Sequence, residues 1–293
     1  MRSKLIAIAL VFIIFVSGCL GGSGKDRESS DQTSLSDGTS TTSGASSSIL
    51  TSTTSSFHST TSTTTGWEIT STTPAVDYTG KLLDALRGIS SYLAFVNTTI
   101  NSTVQIEGGG AVKVENVSVF SNSTVRYNLA DNRMDMNMTV HTEPAGGRVF
   151  TRILLLGDVA RVYSLGEWKE FRRGDEGFTV IEKTFESNPL SLALSASSGG
   201  ECQVSTGQYY ILRCTNKNAF RELIEATVGV PKGSEVSVTM GAIEVVFYGL
   251  QPVSGKIEVG FEISTTYTDA SGESFKMLQK GKIEETFTIL QKG

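Results

Sequence analysis

The residues best placed to do chemistry in this chain are its three cysteines. Cys19 closes the segment Val16-Ser17-Gly18-Cys19, after a basic start and an unbroken apolar run from Leu5. That run is shorter than the roughly 20 residues that span a bilayer, and it has the pattern of a secretory signal. The tetrapeptide has the form of a lipobox, in which the thiol receives a diacylglyceryl group and becomes the new N-terminus. An uncleaved anchor helix with an incidental cysteine is the alternative.

The other two cysteines, Cys202 and Cys214, form an isolated pair. In an exported protein such a pair is expected to oxidise. Closing a loop of about 13 residues contributes roughly 3 kcal/mol in the chain-entropy model. Two free buried thiols are the alternative. A metal site at the pair is excluded, because the only histidines, His58 and His141, lie far from it in the sequence.

Recognisable catalytic motifs are absent from the sequence. It holds no His-Glu-x-x-His, Cys-x-x-Cys, Gly-x-Ser-x-Gly or phosphate-binding glycine loop. His141 is expected at an exposed strand end, and the spacing of the acidic residues shows no carboxylate pair for glycoside chemistry. We therefore predict a non-enzymatic protein with neither a cofactor nor a metal site.

The charge of the chain restricts its partners. The net charge is −5, with no basic stripe, and removal of the leader makes it more negative. This argues against nucleic acid, whose binding depends on Lys and Arg at the phosphates, and against attraction to an anionic lipid surface. Membrane attachment is therefore expected from the lipid on Cys19, whose two chains hold firmly. The sequence does not show whether the protein has a protein partner, so this partner stays unknown.

The composition divides the chain into three parts. Residues 1–18 are the predicted lipoprotein signal peptide. Residues 19–75 form a lipid-anchored stalk in which most positions from Ser29 to Thr73 are Ser or Thr. Such a segment buries too little apolar area to fold, so we predict disorder, with possible O-glycosylation. Residues 76–293 form the folded domain. The protein is therefore placed on the outer face of the cytoplasmic membrane, exposed to the exterior.

The folded part is predicted as α+β. A first helix follows an N-cap at Asp77 and runs to about Val96, with apolar residues at helical spacing. From Thr103 the period changes to two, which predicts an antiparallel meander, with a β-bulge near Glu115-Asn116 where the valines change phase. A short helix begins at Asn188-Pro189, and a second one is capped by Asn216 or Asn218. Strands follow both helices.

Five Asn-x-Ser/Thr sequons lie in the first half of this domain, at Asn97, Asn101, Asn116, Asn122 and Asn137. In an exported protein such a cluster predicts a glycosylated face. Chance in a chain rich in Ser and Thr is the alternative.

The order of elements, with the run Asp158 to Ser164 leading into Trp168-Lys169, resembles the half-barrel superfamily of bacterial lipoprotein carriers and mycobacterial lipid-binding lipoproteins. The stalk resembles those of archaeal cell-surface lipoproteins. The resemblance implies a curved antiparallel half-barrel sheet, with a few helices on its concave side, and an apolar pocket for acyl or isoprenoid chains. The pocket candidates are Met134, Met136, Met138, Leu190, Leu194, Phe261 and Ile263. Ordinary core packing is the alternative for each.

Two functions remain open. The domain binds a lipid or other apolar ligand in the half-barrel pocket, or it is a glycosylated surface interaction or adhesion module with a filled core. An apolar cavity of roughly 300 Å³ or more would favour the first function. A filled core with an exposed aromatic patch would favour the second.

Overall fold

A computed structural model describes residues 77–108, 110–231, 233–268 and 272–292. The predicted signal peptide, Cys19 and the predicted stalk lie outside the described residues. Within the described part, no helix has the length and apolar character needed to cross a bilayer.

The architecture is one antiparallel sheet of 11 strands. The strands are β1 (Ser91–Gly108), β2 (Ala111–Asn128), β3 (Arg133–Glu143), β4 (Arg148–Leu156), β5 (Val159–Ser164), β6 (Glu167–Arg172), β7 (Glu201–Thr206), β8 (Tyr210–Thr215), β9 (Glu235–Tyr248), β10 (Gln251–Thr268) and β11 (Ser274–Lys292). Their order is β6-β5-β4-β3-β2-β1-β11-β10-β9-β8-β7. The sheet is not closed, because β6 and β7 lie at its two edges.

Helices cover one face of this sheet, which we call the inner face. They are α1 (Tyr78–Arg87), α2 (Glu176–Glu186), α3 (Pro189–Ser197), a 3₁₀ turn (Lys217–Phe220), α4 (Arg221–Ile224) and a π turn (Glu225–Gly229). Helix α2 packs on β4, β5 and β6, and α3 packs on β7, β8 and β9. The predicted α+β class, an open antiparallel sheet with a few helices, is confirmed.

The first helix is shorter than its apolar spacing predicts. The Asp77 side chain caps it by accepting a hydrogen bond from the Gly80 amide, as expected, but the helix ends at Arg87 and not near Val96. From Ser91 the chain is already in β1, where it pairs with both β2 and β11. Pairing on both sides overrides the local helical period, because it satisfies the backbone along the whole segment.

The predicted bulge near Glu115-Asn116 is absent. Strand β2 pairs with β1 residue by residue through this region. Because the alternation is not interrupted, Val112 and Val114 lie on the outer face, 63% and 57% exposed. The change of phase in the sequence is thus a change from outward to inward valines on one regular strand.

Helices α2 and α3 follow each other directly, with only Ser187 and Asn188 between them. The Asn188 side chain caps α3 by accepting a hydrogen bond from the Ser191 amide, and Pro189 is its first residue, as predicted. Helix α2 was not predicted, although Phe178, Ile181 and Phe185 form a buried helical stripe. The predicted second helix is the 3₁₀–α4–π segment, capped by Asn216.

Candidate functional site

The inner face of β1 to β6 is built from rows of side chains that the strand register brings together. Directly paired residues in an antiparallel sheet project to the same face. The deepest two rows are buried and almost entirely apolar. One holds Tyr92, Tyr127, Met134, Leu155 and Ala160, and the next holds Ala94, Val125, Met136, Ile153 and Val162. These rows form an apolar floor.

A cavity of about 190 Å³ lies over this floor. Its walls come from β1 to β6 and β11, and its cover comes from α2 and the π turn, with Ile181, Leu223 and Ala226 among the lining residues. Most of the lining is apolar. The volume is below the roughly 300 Å³ that would favour ligand binding by size alone, which is the lower end of typical ligand pockets. The cavity therefore fits one slim chain better than a multi-chain lipid.

Polar side chains cross the inner face above the floor, in two neighbouring rows that we call the polar band. One row pairs Glu285, Thr98 and Ser121, and the other runs from Ser123 across Met138 to Thr151 and Ser164. All of these residues line the cavity. The cavity therefore combines an apolar floor with the hydroxyls and the Glu285 carboxyl of the polar band, and Glu167 also lies in its lining.

Glu285 is the only acidic group of the polar band, and it is 7% exposed. The Thr98 hydroxyl donates a hydrogen bond to its Oε2 at 3.1 Å. Burial raises the pKa of Glu285 to about 7, and the hydrogen bond from Thr98 opposes this only in part. Among the described residues, no ion pair with Glu285 is formed. Its carboxyl therefore lies in the cavity wall without a compensating cation.

Three hydroxyls that line the cavity are buried and have no hydrogen-bond partner in the described structure: those of Thr151, Ser164 and Ser187. Thr151 and Ser164 lie opposite each other on β4 and β5. Ser187 comes from the junction between α2 and α3. Most buried polar groups in proteins are hydrogen-bonded, so three hydroxyls without a partner among the residues around one cavity set this part of the inner face apart.

Hydrogen bonds at Asn188 fix the junction that carries Ser187. The Tyr92 hydroxyl donates to Asn188 Oδ1 at 2.8 Å, and Asn188 Nδ2 donates to the Phe185 carbonyl at 2.9 Å. Burial raises the pKa of Tyr92 and of Tyr127, so both phenols stay protonated. The junction is thereby tied to the floor of the cavity.

An ion-pair cluster holds α2 against the π turn over the cavity. Glu225 accepts hydrogen bonds from Lys183 Nζ and, at 3.0 Å, from Arg221 Nε. Burial by itself would raise the pKa of Glu225, but the hydrogen bonds from Lys183 and Arg221 outweigh it and lower the pKa. The cover is therefore fixed by a partly buried charge cluster.

The predicted pocket residues separate into two groups. Met136 and Met138 line the cavity. The other five do not line it: Met134, Leu190, Phe261 and Ile263 are buried in the core, and Leu194 packs against the core. Glu285 was missed by sequence reasoning, although it shares the inward phase of Ile283 and Phe287 on β11. An acidic residue at an inward position of an alternating strand is the feature of the sequence from which this buried carboxyl could have been predicted.

All five sequon asparagines lie on β1, β2 or β3, at positions opposite in phase to the buried residues. They therefore share the outer face. Asn97 and Asn122 are paired across β1 and β2. Elsewhere, a disulfide joins Cys202 and Cys214 between β7 and β8, as expected for an exported protein. Within the described residues, no group of His, Cys, Asp or Glu could hold a metal ion.

The outer face also carries an exposed aromatic cluster on β4, β5 and β6. Tyr163 lies 6.5 Å from Phe150 and 5.4 Å from Trp168, measured between ring centroids. Phe150 and Trp168 are about half exposed. Such a cluster is a candidate contact surface.

No protein-family model matches the chain, and no curated protein matches it. Solved structures that are similar include LprF from Mycobacterium bovis (TM-score 0.35, 12% identity, 73% of this chain and 90% of that one). They also include a DUF1329 family protein from Desulfovibrio piger (0.20, 11%, 70% and 91%) and a beta-barrel-like DUF1849 protein from Brucella abortus (0.22, 8%, 69% and 100%). Each of these three TM-scores is below 0.5, so the similarities assign neither a family nor a function to this chain.

Proposed function

We propose that the folded domain binds a small or single-chain apolar ligand in the inner-face cavity and performs no catalysis. The observation that carries this proposal is the cavity itself, which leaves three buried hydroxyls without partners above an apolar floor. A fully packed core would have filled this space with side chains. The volume of about 190 Å³ argues for a slender ligand.

We propose further that the domain works outside the cytoplasm, held to the outer face of the membrane by lipid on Cys19. In this proposal residues 1–18 are removed, residues 19–75 form the stalk and residues 76–293 form the ligand-binding domain. The disulfide between Cys202 and Cys214 supports an oxidising compartment. Intact-mass measurement of the protein from its own membrane tests the anchor. A mass that includes the leader and an unmodified Cys19 would contradict it.

Filling the cavity tests ligand binding. The substitution Ile153→Phe enlarges a side chain that lines the cavity, whereas Leu154→Phe enlarges its neighbour on the outer face of β4. We expect native mass spectrometry of the protein from its own membrane to show a bound apolar molecule in the wild type and in Leu154→Phe, and much less in Ile153→Phe. An empty wild-type protein would contradict ligand carriage.

A surface interaction role is the second candidate function, and the outer face favours it. This face carries the sequons on β1 to β3 and the aromatic cluster of Phe150, Tyr163 and Trp168. Retention of the purified protein on polysaccharide from its own cell envelope, compared between the wild type and Trp168→Ala, tests this role. Equal retention would exclude the aromatic cluster as the contact surface.

A further inference from the structure

The cavity has an apolar part at the floor and a hydroxyl-bearing part at the polar band. This difference indicates where the apolar chain and the polar head group of a ligand would lie. We propose that Thr151, Ser164 and Ser187 bind the hydroxyl-bearing head group of an uncharged amphiphile inside the cavity, with its chain over Met136 and Ile153. This inference rests on the proposed function, because it requires that the cavity takes up a ligand.

The first argument is the burial of the three hydroxyls. Thr151 is 0% exposed, Ser164 is 3% exposed and Ser187 is 5% exposed, and none has a partner in the described structure. A buried donor or acceptor without a partner costs about 1–3 kcal/mol. Three such groups around one cavity are explained together if a polar group enters it.

The second argument is their arrangement. Thr151 and Ser164 are cross-strand partners, so their side chains project next to each other from β4 and β5. Ser187 lines the same cavity from the α2–α3 junction. The three hydroxyl oxygens are closed off in the structure, so a ligand group between the sheet and this junction meets them when their side chains rotate toward it. Each hydroxyl both donates and accepts, which matches a polyol head group with the same property.

The third argument is charge. Among the described lining residues the only basic one is Lys169, on edge strand β6, and it is not buried. An anionic head group placed at the polar band would therefore lack a buried cation and would face Glu285. Glu285 already accepts a hydrogen bond from Thr98. An uncharged head group avoids both costs.

The floor accounts for the chain of the ligand. Met136 and Ile153 are paired on β3 and β4, one row deeper than Met138 and Thr151. Methionine is flexible and adapts to irregular apolar ligands. A chain can therefore lie on this floor while the head group remains level with Thr151 and Ser164.

Three probes with the same chain length test the proposal: 1-octanoylglycerol, methyl octanoate and octylammonium. They are titrated calorimetrically, below their solubility limits, into residues 19–293 carrying Cys19→Ser, which removes the lipid acceptor and the need for detergent. We expect 1-octanoylglycerol to bind at least about tenfold more tightly than either of the other probes, since it can pair with the buried hydroxyls.

The variant Thr151→Val removes one unpartnered hydroxyl and keeps the shape of the side chain. We expect it to weaken the binding of 1-octanoylglycerol about tenfold, to leave methyl octanoate unchanged and to leave the melting temperature the same or higher. The matched control is Thr286→Val, which removes an exposed hydroxyl on the outer face of β11. It should change neither affinity nor melting temperature.

The outcomes separate this inference from the proposed function. Equal affinity for 1-octanoylglycerol and methyl octanoate would overturn the head-group assignment and leave apolar-ligand binding intact, with water as the partner of the hydroxyls. Tighter binding of octylammonium would overturn the uncharged head group. A lower melting temperature of Thr151→Val with unchanged affinity would show a purely structural role. Binding of none of the probes would overturn both proposals.

Discussion

Two parts of the inner face of this sheet are packed very differently. The part formed by β8 to β10 is filled with large side chains, including Leu212, Phe247 and Phe261. The part formed by β1 to β6 contains the cavity and the polar band. Both parts belong to one antiparallel sheet, in which the β9–β10 pairing shifts register at two places, one of them at Gly260/Phe261, and the pairings from β2 to β6 do not shift.

The two parts of the inner face also differ in the size of their side chains, in the same direction as their packing. Phe261 lies opposite Gly281, where a Cβ would come within 2.7 Å of the ring. The missing side chain of the glycine thus gives space to the phenylalanine. On β4 and β5, Thr151 and Ser164 are small and are cross-strand partners. Large residues therefore form a packed core in one part, and small polar residues line a cavity in the other.

Truncating one large side chain in each part should sharpen this comparison most. We expect Phe261→Ala to lower the free energy of unfolding by about 4 kcal/mol, because it leaves a cavity in a packed region. Met136→Ala should lower it by only about 2 kcal/mol, because this side chain already lacks contacts on its cavity side. Chemical denaturation of both variants measures the difference. Equal losses would mean that the two parts are packed alike.

Neutralising Glu285 should produce the next largest effect, and it should depend on pH. The pKa of Glu285 is about 7 in the folded protein, against 4.5 as its ordinary value. Below pH 4.5 the carboxyl is protonated both folded and unfolded and costs nothing. Between pH 4.5 and about 7 the unfolded chain ionises while the folded protein keeps its proton, so stability falls by about 3 kcal/mol across this window and levels off above it. Glu285→Gln removes this loss.

We therefore expect Glu285→Gln to be about 3 kcal/mol more stable than the wild type at pH 8 and equally stable at pH 4.5. Denaturation curves at the two pH values measure this. Glu284→Gln is the matched control, because Glu284 is the outward neighbour and pairs with Lys282 on the surface. A stabilisation that is the same at both pH values would show that the charge of Glu285 is not the cause.

The smallest expected effects are the losses of stability on replacing two adjacent residues at the α2–α3 junction, Ser187 and Asn188. Asn188→Ala should cost about 2 kcal/mol, since it removes the α3 cap and leaves the Tyr92 hydroxyl without its acceptor. Ser187→Ala should cost less than about 0.5 kcal/mol, because this hydroxyl has no partner to lose. Thermal denaturation compares the two. A large loss for Ser187→Ala would place a partner of Ser187 within the protein.

The local signals in the sequence predicted much of this fold correctly. Alternating residues identified the strands, and Asn188-Pro189 identified the start of α3. The same kind of signal failed for residues 91–96, where apolar spacing indicated a helix and the structure has β1. Helical spacing is a local property, whereas the pairing of β1 with β11 joins distant parts of the chain.

The sequence by itself determined the alternation of the strands and the caps at Asp77 and Asn188. These depend on neighbours within a few residues. Only the tertiary structure decided that Glu285, Thr151, Ser164 and Ser187 surround one cavity, because Glu285 on β11 lies far in the chain from the other three. Strand register sets these contacts, and register follows from the pairing of the whole sheet.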